Sequence, residues 1–437
     1  MSQIEKNEQN TQERIIPKLR FPEFQTALGW DKHILNDYSE IVRGGSPRPI
    51  DNYLTKNING LNWLKIGDVD KDAKYVTKTE ERVIPEALSK TREVSRGDFI
   101  LSNSMSFGRP YILQIDTCIH DGWIAITNID ERLDKNYLYY LMLTSSCQNY
   151  FLKNAAGSGV LNLNAEIIKS LPITLPKIEE QQKIADCLSS IDELIELQEQ
   201  KLAALKQHKK GLMQQLFPSH NDLQASKQAS KQASKQAIVY PKLRFPQFKD
   251  CEDWEVVELM NIGYFVKEKI EVLNLNPEDY ISTENLLSDY SGVTISNKLP
   301  TTEKVTAFQK NDILISNIRP YLKKVWVADK DGGASNDIIV IRAKSNINTS
   351  FLSSVIKNDD FINYMMKGAK GLKMPRGDLG LISIFPVAVP SDPKEQQAIA
   401  DCLSSLDKLI SEENGKIGRL KDHKKGLMQQ LFPIFRN

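Results

Sequence analysis

Few features of this 437-residue chain would assign a chemistry on their own. It has neither a CxxC nor an HExxH motif and its five histidines are dispersed, so the sequence predicts no metal site. No run approaches the roughly 18 apolar residues that a membrane span needs, so no membrane partner is expected. The five cysteines are scattered: Cys118, Cys147, Cys187, Cys251 and Cys402. This odd number favours reduced thiols in a cytoplasm over a disulfide framework.

Motifs for cofactors and nucleotides are also missing. The chain has no GxxxxGK[ST] loop, no Asn/Asp-Pro-Pro-aromatic motif of the amino-methyltransferase kind and no glycine-rich loop after a clear strand. We therefore expect no catalytic residues and no cofactor bound by this chain. The formal net charge of +1 neither requires nor excludes nucleic acid, because a DNA contact needs only a local basic surface. The polar N-terminus has no apolar h-region, so we expect a disordered tail rather than a signal peptide.

What the chain does have is a second copy of itself. Residues 180–218 and 395–433 align without a gap, sharing EQQxIADCLSSxDxLI at one end and HKKGLMQQLFP at the other. PKLRFPEF before Trp30 returns as PKLRFPQF before Trp254, at the same distance from the tryptophan. Self-similarity on this scale predicts the order variable domain, helix, variable domain, helix.

Each repeated helix has the apolar pattern of a coiled coil. Two apolar columns at a spacing of seven predict helices over 180–216 and 395–431. One column holds Ile184, Ile191, Leu205 and Leu212, and its counterpart holds Ile399, Leu406, Leu420 and Leu427. Connectivity favours antiparallel pairing, which would place Gln198 opposite Glu413 as a polar pair that sets the register. Two amphipathic helices on separate cores are the alternative.

A tetrapeptide array follows the first helix. Its sequence, QASKQASKQASKQA at 224–237, repeats alanine every four residues and contains no large apolar side chain. Helix propensity is good but nothing is available to bury, so an exposed helical spacer and a flexible linker both stay open. If the array is helical, each unit adds about 6 Å, and the array would act as a ruler.

The two globular regions are predicted to be α+β domains with small sheets. Short β-rich runs at 124–129 and 337–343 stand beside helical stretches such as 137–153. The expected fold class is thus α+β, with two globular domains separated by two long helices in an antiparallel coiled coil, an internal duplication with a pseudo-twofold relation. The predicted segments are the tail (1–16), the first domain (17–176), the central helix (177–218), the array linker (219–240), the second domain (241–390) and the C-terminal helix (391–437).

Polar side chains suited to DNA lie beside predicted strand ends in both domains, where GDFILSNSMSFGRPYI (97–112) parallels NDILISNIRPYL (311–322). Arginine and asparagine can address guanine and adenine edges, while lysine and serine suit phosphates. The candidates are Arg43, Ser46, Arg48, Lys65, Asn103, Ser104, Ser106, Arg109, Tyr111, Ser316, Asn317, Arg319, Tyr321, Lys323, Lys324, Lys373 and Arg376. For any one of them, turn chemistry with a surface salt bridge is the alternative.

These patterns resemble the specificity subunit of a type I restriction-modification system, over nearly the whole chain. GGSPRPIDNYL (44–54) with NWLKIGDV (62–69) looks like the opening of a target-recognition domain of that family. GDFILSNS, the helix boundary at 175–192 and the duplicated helix are also typical. The second domain lacks the GGSP-type opening and carries YISTENL (280–286), which resembles another subtype, so no contacts of the first opening transfer to it.

The resemblance implies a division of labour in a cytoplasmic complex. Each variable domain would read one half of a split site in double-stranded DNA, and the antiparallel helices would set the unread gap. Two methyltransferase subunits carrying S-adenosylmethionine would methylate adenine, and restriction subunits using ATP and Mg²⁺ would translocate and cut. This chain would supply sequence choice and assembly without catalysis.

The repeated HKKGLMQQLFP is more uniform than the packing of a seam requires. We expect it to contribute to the methyltransferase-docking surface through Lys209, Lys210, Lys424 and Lys425. The alternative is that these cations only complement the macrodipole at the helix ends.

Two rival functions belong to other classes. A self-contained nuclease or methyltransferase with duplicated domains is disfavoured by the missing cofactor and nucleotide motifs. A coiled-coil scaffold that binds proteins and no DNA fits the near-zero charge equally well. Sequence-specific, strongly salt-dependent DNA binding separates the scaffold from the specificity subunit.

Overall fold

The computed structural model describes residues 15–103, 107–155, 161–233, 238–371 and 373–433. The chain divides into two compact units, Met1–Glu199 with Lys416–Asn437, and Gln200–Gly415. We call them the first and the second unit. Each unit thus combines one globular region with part of both long helices.

Over its described residues, the first unit contains three sheets and three short α-helices. Its strands are β1 (Asp31–Ile34), β2 (Glu40–Arg43), β3 (Leu61–Leu64), β4 (Tyr75–Val76), β5 (Glu81–Val83), β6 (Arg92–Val94), β7 (Phe99–Ser102), β8 (Pro110–Leu113), β9 (Thr117–Ile119), β10 (Trp123–Thr127) and β11 (Pro172–Leu175). Its short helices are α1 (Lys135–Leu143), α2 (Ser145–Asn154) and α3 (Ala165–Lys169). The larger sheet has the order β2-β10-β7-β8-β4 and the smaller β5-β3-β9-β6, while β1 pairs with β11.

The second unit repeats this plan with other residues. Its strands are β12 (Ile238–Val239), β13 (Trp254–Glu258), β14 (Gly263–Phe265), β15 (Lys269–Glu271), β16 (Tyr280–Ile281), β17 (Lys304–Phe308), β18 (Ile313–Ser316), β19 (Val325–Val327), β20 (Gly332–Ala334), β21 (Ile338–Ala343) and β22 (Pro386–Val389). Its short helices are α5 (His220–Ala233), α6 (Leu259–Ile262), α7 (Thr349–Ile356), α8 (Asp359–Lys367) and α9 (Leu379–Ser383). The sheet orders are β14-β21-β18-β19 and β15-β17-β20-β16, and β13 lies between β12 and β22.

Inner strands are buried on both faces in the five-stranded sheet of the first unit and in the corresponding sheet β14-β21-β18-β19 of the second, which we call the larger sheets. Along β10, Ile124 and Ile126 face the core shared with the helices, whereas Trp123 and Ala125 face the smaller sheet. Along β21 of the second unit, Ile339 and Ile341 belong to the helix-side core and Val340 to the other. Side chains alternate across a strand, so these near-continuous apolar runs indicate a sheet that is covered on both sides.

The two long helices are α4 (Ile178–Leu216) and α10 (Pro393–Leu431), and within each unit they pack antiparallel. In the first unit, Ile184 and Leu188 of α4 share a core with Leu431 of α10. In the second unit, the α4 end at Leu216 and the α10 start at Ile399 share the other core. The antiparallel helix pair and the α+β class that the sequence predicts are therefore confirmed.

The repeated motifs fasten each globular region to the long helices. Arg20, from PKLRFPEF, donates to both carboxylate oxygens of Glu180 at 2.7 Å, and the Glu180 side chain is 1% exposed. Arg244 binds Glu395 at 2.7 and 2.8 Å in the second unit. The near-identity of PKLRFP and EQQ in the two copies thus follows from one buried ion pair that is built twice.

The glutamines that follow these glutamates are also buried. The Gln181 amide accepts from the Asp134 N–H and donates to the Arg132 and Pro176 oxygens, each at 2.9 Å. In the second unit, Gln396 accepts from the Asn348 N–H at 3.0 Å. Asp134 and Asn348 are the N-cap residues of α1 and α7, so each long helix fixes the start of a helix of the adjacent domain.

Three details differ from the sequence-based expectations or refine them. The single helix expected over 137–153 is two helices, because Thr144 takes an extended conformation and caps α2 through its side chain. The array is helical as far as Ala233, in α5. Residues 1–14 of the expected tail lie outside the described residues, whereas Ile15 exchanges two backbone hydrogen bonds with Trp30 at 3.1 and 2.7 Å.

Candidate nucleic-acid interface

In the first unit, several candidate side chains converge on the turn 120–122 between β9 and β10. The Asp121 backbone oxygen accepts from Arg43 Nε at 2.9 Å and from Asn103 Nδ2 at 3.1 Å. Its carboxylate accepts from Ser46 Oγ at 2.9 Å and lies 3.4 Å from Arg48 Nη2. The structure therefore brings four of the candidates together around one residue that the sequence analysis did not single out.

The two glycines of GGSPRP allow this close approach. A Cβ on Gly44 would collide with the backbone oxygen of His120, and one on Gly45 would lie 2.7 Å from the backbone oxygen of Lys90. Real Cβ atoms do not come this close to backbone. Only glycine therefore lets the segment lie against the turn, and this contact delivers the following serine and arginine to Asp121.

The turn carries a fixed negative charge among cations. Partial burial opposes ionisation of Asp121, but the hydrogen bond from Ser46 and the positive groups around it outweigh this cost. The positive groups are Arg43 and Arg48, and His120 Nε2 lies 3.0 Å from the carboxylate. The pKa of Asp121 consequently lies below its ordinary value. The Arg48 side chain remains 82% exposed, so donors of its guanidinium stay available to a ligand.

Lys65 and Arg109 have other surroundings. Lys65 follows β3, which runs parallel to β9, and therefore lies on the same side as the turn. Its hydrogen bond to Glu81, at 2.8 Å, raises the pKa of Lys65. Arg109 instead lines a groove of about 1280 Å³ that also contains residues of α1 and the long helices, and it lies 3.6 Å from Asp72.

Three candidates are corrected because the fold buries them. The first is Asn103, which is 3% exposed and whose Nδ2 already donates to the turn. Tyr111 is 1% exposed and packs edge-on against Trp123 with ring centroids 5.6 Å apart. Ser316 is 2% exposed and donates to the backbone oxygen of Ile318 at 2.9 Å. Tyr111 and Ser316 lie on strands of the larger sheets, whose two faces are covered, so neither side chain can reach a ligand. Ser104 and Ser106 lie outside the described residues.

The second unit gathers a different set around the corresponding turn, 335–337, between β20 and β21. Arg376 Nη2 lies 2.9 Å from the Asp337 carboxylate, and the Arg376 side chain is 58% exposed. The Asn317 N–H donates to the Asp337 oxygen at 2.8 Å, and the Arg319 N–H donates to the Pro375 oxygen at 2.8 Å. Lys269 Nζ reaches Asn336 Oδ1 at 3.1 Å. A polar turn with an exposed arginine thus recurs.

The remaining candidates of the second unit lie apart from one another. Lys323 donates to Asp359 at 2.6 Å and Lys324 to the backbone oxygen of Thr283 at 2.7 Å. Tyr321 is 49% exposed, and Lys373 is also exposed. The structure does not unite these four into one cluster.

Sequence reasoning missed the turn residues themselves. They are His120, Asp121, Asn336 and Asp337, and Lys269 of β15, which contacts Asn336, was missed as well. The available signal was an acidic residue just before a β-rich run, in IHDGWIAI and in SNDIIVI. Acidic residues before strands are common turn formers, so this signal could not distinguish a functional turn from an ordinary one.

The groove of the first unit contains a lysine enclosed by tyrosines. Lys74 Nζ lies 5.3, 5.1 and 5.0 Å from the ring centroids of Tyr75, Tyr139 and Tyr140, and it donates to Ser189 Oγ of α4 at 3.3 Å. Burial lowers the pKa of Lys74, although nearby carboxylates act in the opposite direction. This cluster joins the strand edge of the domain to α4.

Lys209 and Lys424, expected at a docking surface, are instead engaged within the helix pair. Lys424 donates to Asp192 in the first unit, and Lys209 donates to Asp407 in the second. The two lysine side chains are 18% and 12% exposed. Each lysine thus takes part in an intrachain ion pair that accounts for its repetition, and the docking role of these two residues stays a prediction.

The other lysines and the predicted register pair have separate outcomes. Lys210 Nζ lies 3.4 Å from Asp359 with its side chain 55% exposed, and Lys425 is exposed. Glu413 is 3% exposed and accepts from Lys201 at 2.8 Å, whereas its pairing with Gln198 stays a prediction.

The described residues also bear on metal binding and thiol chemistry. Over the described ranges, no three His, Cys, Asp or Glu side chains are grouped so that they could hold a metal ion. All five cysteines are free thiols. Burial raises the pKa of Cys118 to about 11 and that of Cys147 to about 12. Among the helices that the structure describes, none combines the length and apolar character of a bilayer span.

The chain has two α+β domains whose polar turns carry different side chains, and each domain is fastened to the paired long helices. This arrangement is that of a duplicated recognition protein. Comparison with known proteins supports this class. The family described as "Type I restriction modification DNA specificity domain" matches residues 28–207 and 251–422. The chain therefore belongs to the family of type I restriction-modification DNA specificity proteins, and it is the non-catalytic subunit that supplies sequence specificity.

Individual relatives agree over almost the full length. The putative type I restriction enzyme MjaX specificity subunit of Methanocaldococcus jannaschii is 25% identical, with 92% of each chain covered. The MjaVIII specificity subunit of the same organism is 22% identical, with 94% of this chain and 93% of the relative covered. The crystal structure of the type I S subunit from M. genitalium shares the fold, with a TM-score of 0.58, 16% identity and coverage of 97% of this chain and all of that one.

Proposed function

We propose that each unit reads one half of a bipartite, gapped site in double-stranded DNA. The observation that carries this proposal is the polar turn that recurs before β10 and before β21 with different neighbours. Ser46 and Arg48 stand at the first turn, and Lys269 and Arg376 stand at the second. Reading surfaces for two unlike half-sites require the same placement with different side chains.

The paired helices are proposed to set the gap and to carry two methyltransferase subunits. Leu194 of α4 and Leu409 of α10 occupy equivalent repeat positions and remain 49% and 45% exposed. Two equivalent exposed apolar residues, one on each long helix, suit two equivalent partners. Lys210 and Lys425 are the remaining basic candidates for the same contact. S-adenosylmethionine would bind the methyltransferase subunits, and ATP with Mg²⁺ would bind the restriction subunits.

The reading role is tested by modified-base sequencing of host DNA. The gene is kept intact, deleted or replaced by variants, with the methyltransferase partner present throughout. Loss of N6-methyladenine at one bipartite motif upon deletion is expected. The Arg43→Ala/Arg48→Ala variant should alter only one half-site, and the Lys373→Ala/Arg376→Ala variant only the other. Arg96→Ala, an exposed arginine near the opposite end of β7, is the matched control. Unchanged methylation after deletion would contradict the proposal.

Docking is tested by the sedimentation of the purified complex. Leu194→Glu with Leu409→Glu, and separately Lys210→Glu with Lys425→Glu, should release methyltransferase subunits. Lys206→Glu, at an exposed position of α4, is the control. Intact complexes with both double variants would exclude these residues from the contact.

A further inference from the structure

The turn that enters the middle strand of the larger sheet is fastened identically in both units. The Asn103 N–H donates to the oxygen of Gly122 at 3.0 Å, and the Asn317 N–H donates to that of Asp337 at 2.8 Å. Asp337 therefore corresponds to Gly122 in register, one residue further on than Asp121. Both units thus place an aspartate in this turn, at neighbouring rather than identical positions.

Each aspartate holds an exposed arginine by its carboxylate. Arg48 is 82% exposed beside Asp121, and Arg376 is 58% exposed beside Asp337. A free arginine side chain samples many rotamers, and ordering it upon binding costs free energy. An ion pair with the carboxylate favours fewer placements of the guanidinium, while its other donors stay free to meet a base edge.

The aspartates are poorly suited to contacting bases themselves. The Asp121 side chain is only 27% exposed, and its oxygens already face Ser46, His120 and Arg48. An ionised carboxylate also repels phosphate. It therefore disfavours indiscriminate contact of the neighbouring arginine with the DNA backbone, while it leaves a directed contact with a base edge available.

We propose that Asp121 and Asp337 are the positioning residues of the two reading surfaces, each orienting an arginine for its own half-site and restraining that arginine from binding phosphate. The inference rests on the proposed function, because it assumes that each unit reads one half-site. It predicts that neutralising the carboxylate loosens specificity without weakening DNA binding in general.

The experiment uses the complete complex with methyltransferase subunits. Fluorescence anisotropy measures binding to a duplex that carries the methylated motif and to duplexes with either half-site scrambled, at 50–200 mM salt. The variants are Asp121→Asn and Asp337→Asn. The controls are Asp116→Asn and Asp331→Asn, whose carboxylates accept the N–H groups of Arg96 and Lys310 at other turns. Thermal melting of each complex reports any loss of fold.

Asp121→Asn should lower discrimination at one half-site by about tenfold to a hundredfold and leave the other half-site unchanged. The slope of log affinity against log salt should steepen by about one, because the released arginine gains a phosphate contact. Asp337→Asn should do the same at the other half-site. A role limited to structure would not steepen the slope.

Additional variants and outcomes keep the test decisive. In the Asp121→Asn background, Arg48→Ala should abolish the steeper slope. The separate variant Asp121→Glu keeps the carboxylate and should retain discrimination, which makes it the test if Asp121→Asn does not fold. If the unaltered complex selects no bipartite motif, the proposed function fails. If it selects one, but Asp121→Asn discriminates as before or loses both half-sites equally, only the positioning inference is overturned.

Discussion

Lys424 donates to the carboxylate of Asp192 across the helix pair of the first unit, and the second unit builds the same contact from Lys209 and Asp407. The Asp192 carboxylate also accepts from Tyr140 Oη at 2.7 Å. The repeat therefore preserves an ion pair between the helices, and in the first unit this pair is tied to the globular domain by a tyrosine.

A double-mutant cycle on Lys424→Met and Asp192→Asn measures this pair. We expect a coupling of about 1 kcal/mol, because the lysine is largely buried and the carboxylate keeps a second donor. The pair of Lys421 and Glu199, 56% and 48% exposed, supplies the control, and its coupling should be about 0–0.5 kcal/mol. The free energy of unfolding is measured in urea, with amide hydrogen exchange in α10 as the probe. Equal couplings would contradict the distinction.

Breaking the buried ion pair of Arg20 and Glu180 should cost more free energy of unfolding than breaking the pair of Lys424 and Asp192. Glu180→Gln leaves a guanidinium of 6% exposure without its carboxylate, and breaking a buried pair in this way costs about 3–5 kcal/mol. Hydrogen exchange should then increase in the first unit around the start of α4. Glu179→Gln, at the adjacent exposed position, should leave exchange unchanged. If both variants behaved alike, the pair would not be the fastening that its geometry indicates.

Lys74 gives a prediction for pH dependence. Burial lowers its pKa in the folded chain, so the unfolded chain binds this proton more tightly and the contribution of this group to stability rises with pH. Lys74→Met removes the buried charge. The stability of the variant relative to the unaltered chain should be highest near neutral pH and should fall as pH rises towards the ordinary pKa of lysine, by about 1.4 kcal/mol per unit of pKa displacement. Chemical denaturation at neutral and alkaline pH measures this difference in stability, and Lys78→Met, at an exposed position, is the control. A stability advantage of Lys74→Met that grows with pH would contradict the lowered pKa of Lys74.

The sequence predicted those parts of the fold that depend on periodicity. The heptad columns predicted α4 and α10 to within two residues, because apolar spacing directly reports the buried face of a helix. The break at Thr144 was missed, since neither proline nor glycine marks the place where the backbone changes direction. A threonine can either continue a helix or cap the next one, and only the tertiary contacts decide between these roles.

The candidate site was predicted only in part for a similar reason. Arg43, Ser46 and Arg48 were recognised from their residue types, but Asp121 was not, because its importance depends on contacts between residues more than 70 positions apart. Tyr111 was wrongly taken as a contact residue, since the sequence does not distinguish a tyrosine in the core from one on a reading surface. The repeat indicates which residues are kept in both copies, and their burial in the structure shows which contacts they make.

A deletion in the tetrapeptide array can show whether the length of the array sets the gap between the two half-sites. Leu223 of α5 and Phe217 after α4 belong to the same core of the second unit, and Ser226 Oγ donates to the backbone oxygen of Ile238. Residues twelve positions apart therefore meet within that unit. Deleting residues 230–233 should accordingly leave both half-sites and the gap unchanged in modified-base sequencing. A gap shorter by one or two base pairs, with the half-sites retained, would instead favour the ruler hypothesis, since one helical unit spans about 6 Å and a base pair about 3.4 Å. Ser226→Ala removes the hydrogen bond to the Ile238 oxygen. This loss should increase amide hydrogen exchange around β12 without changing the gap.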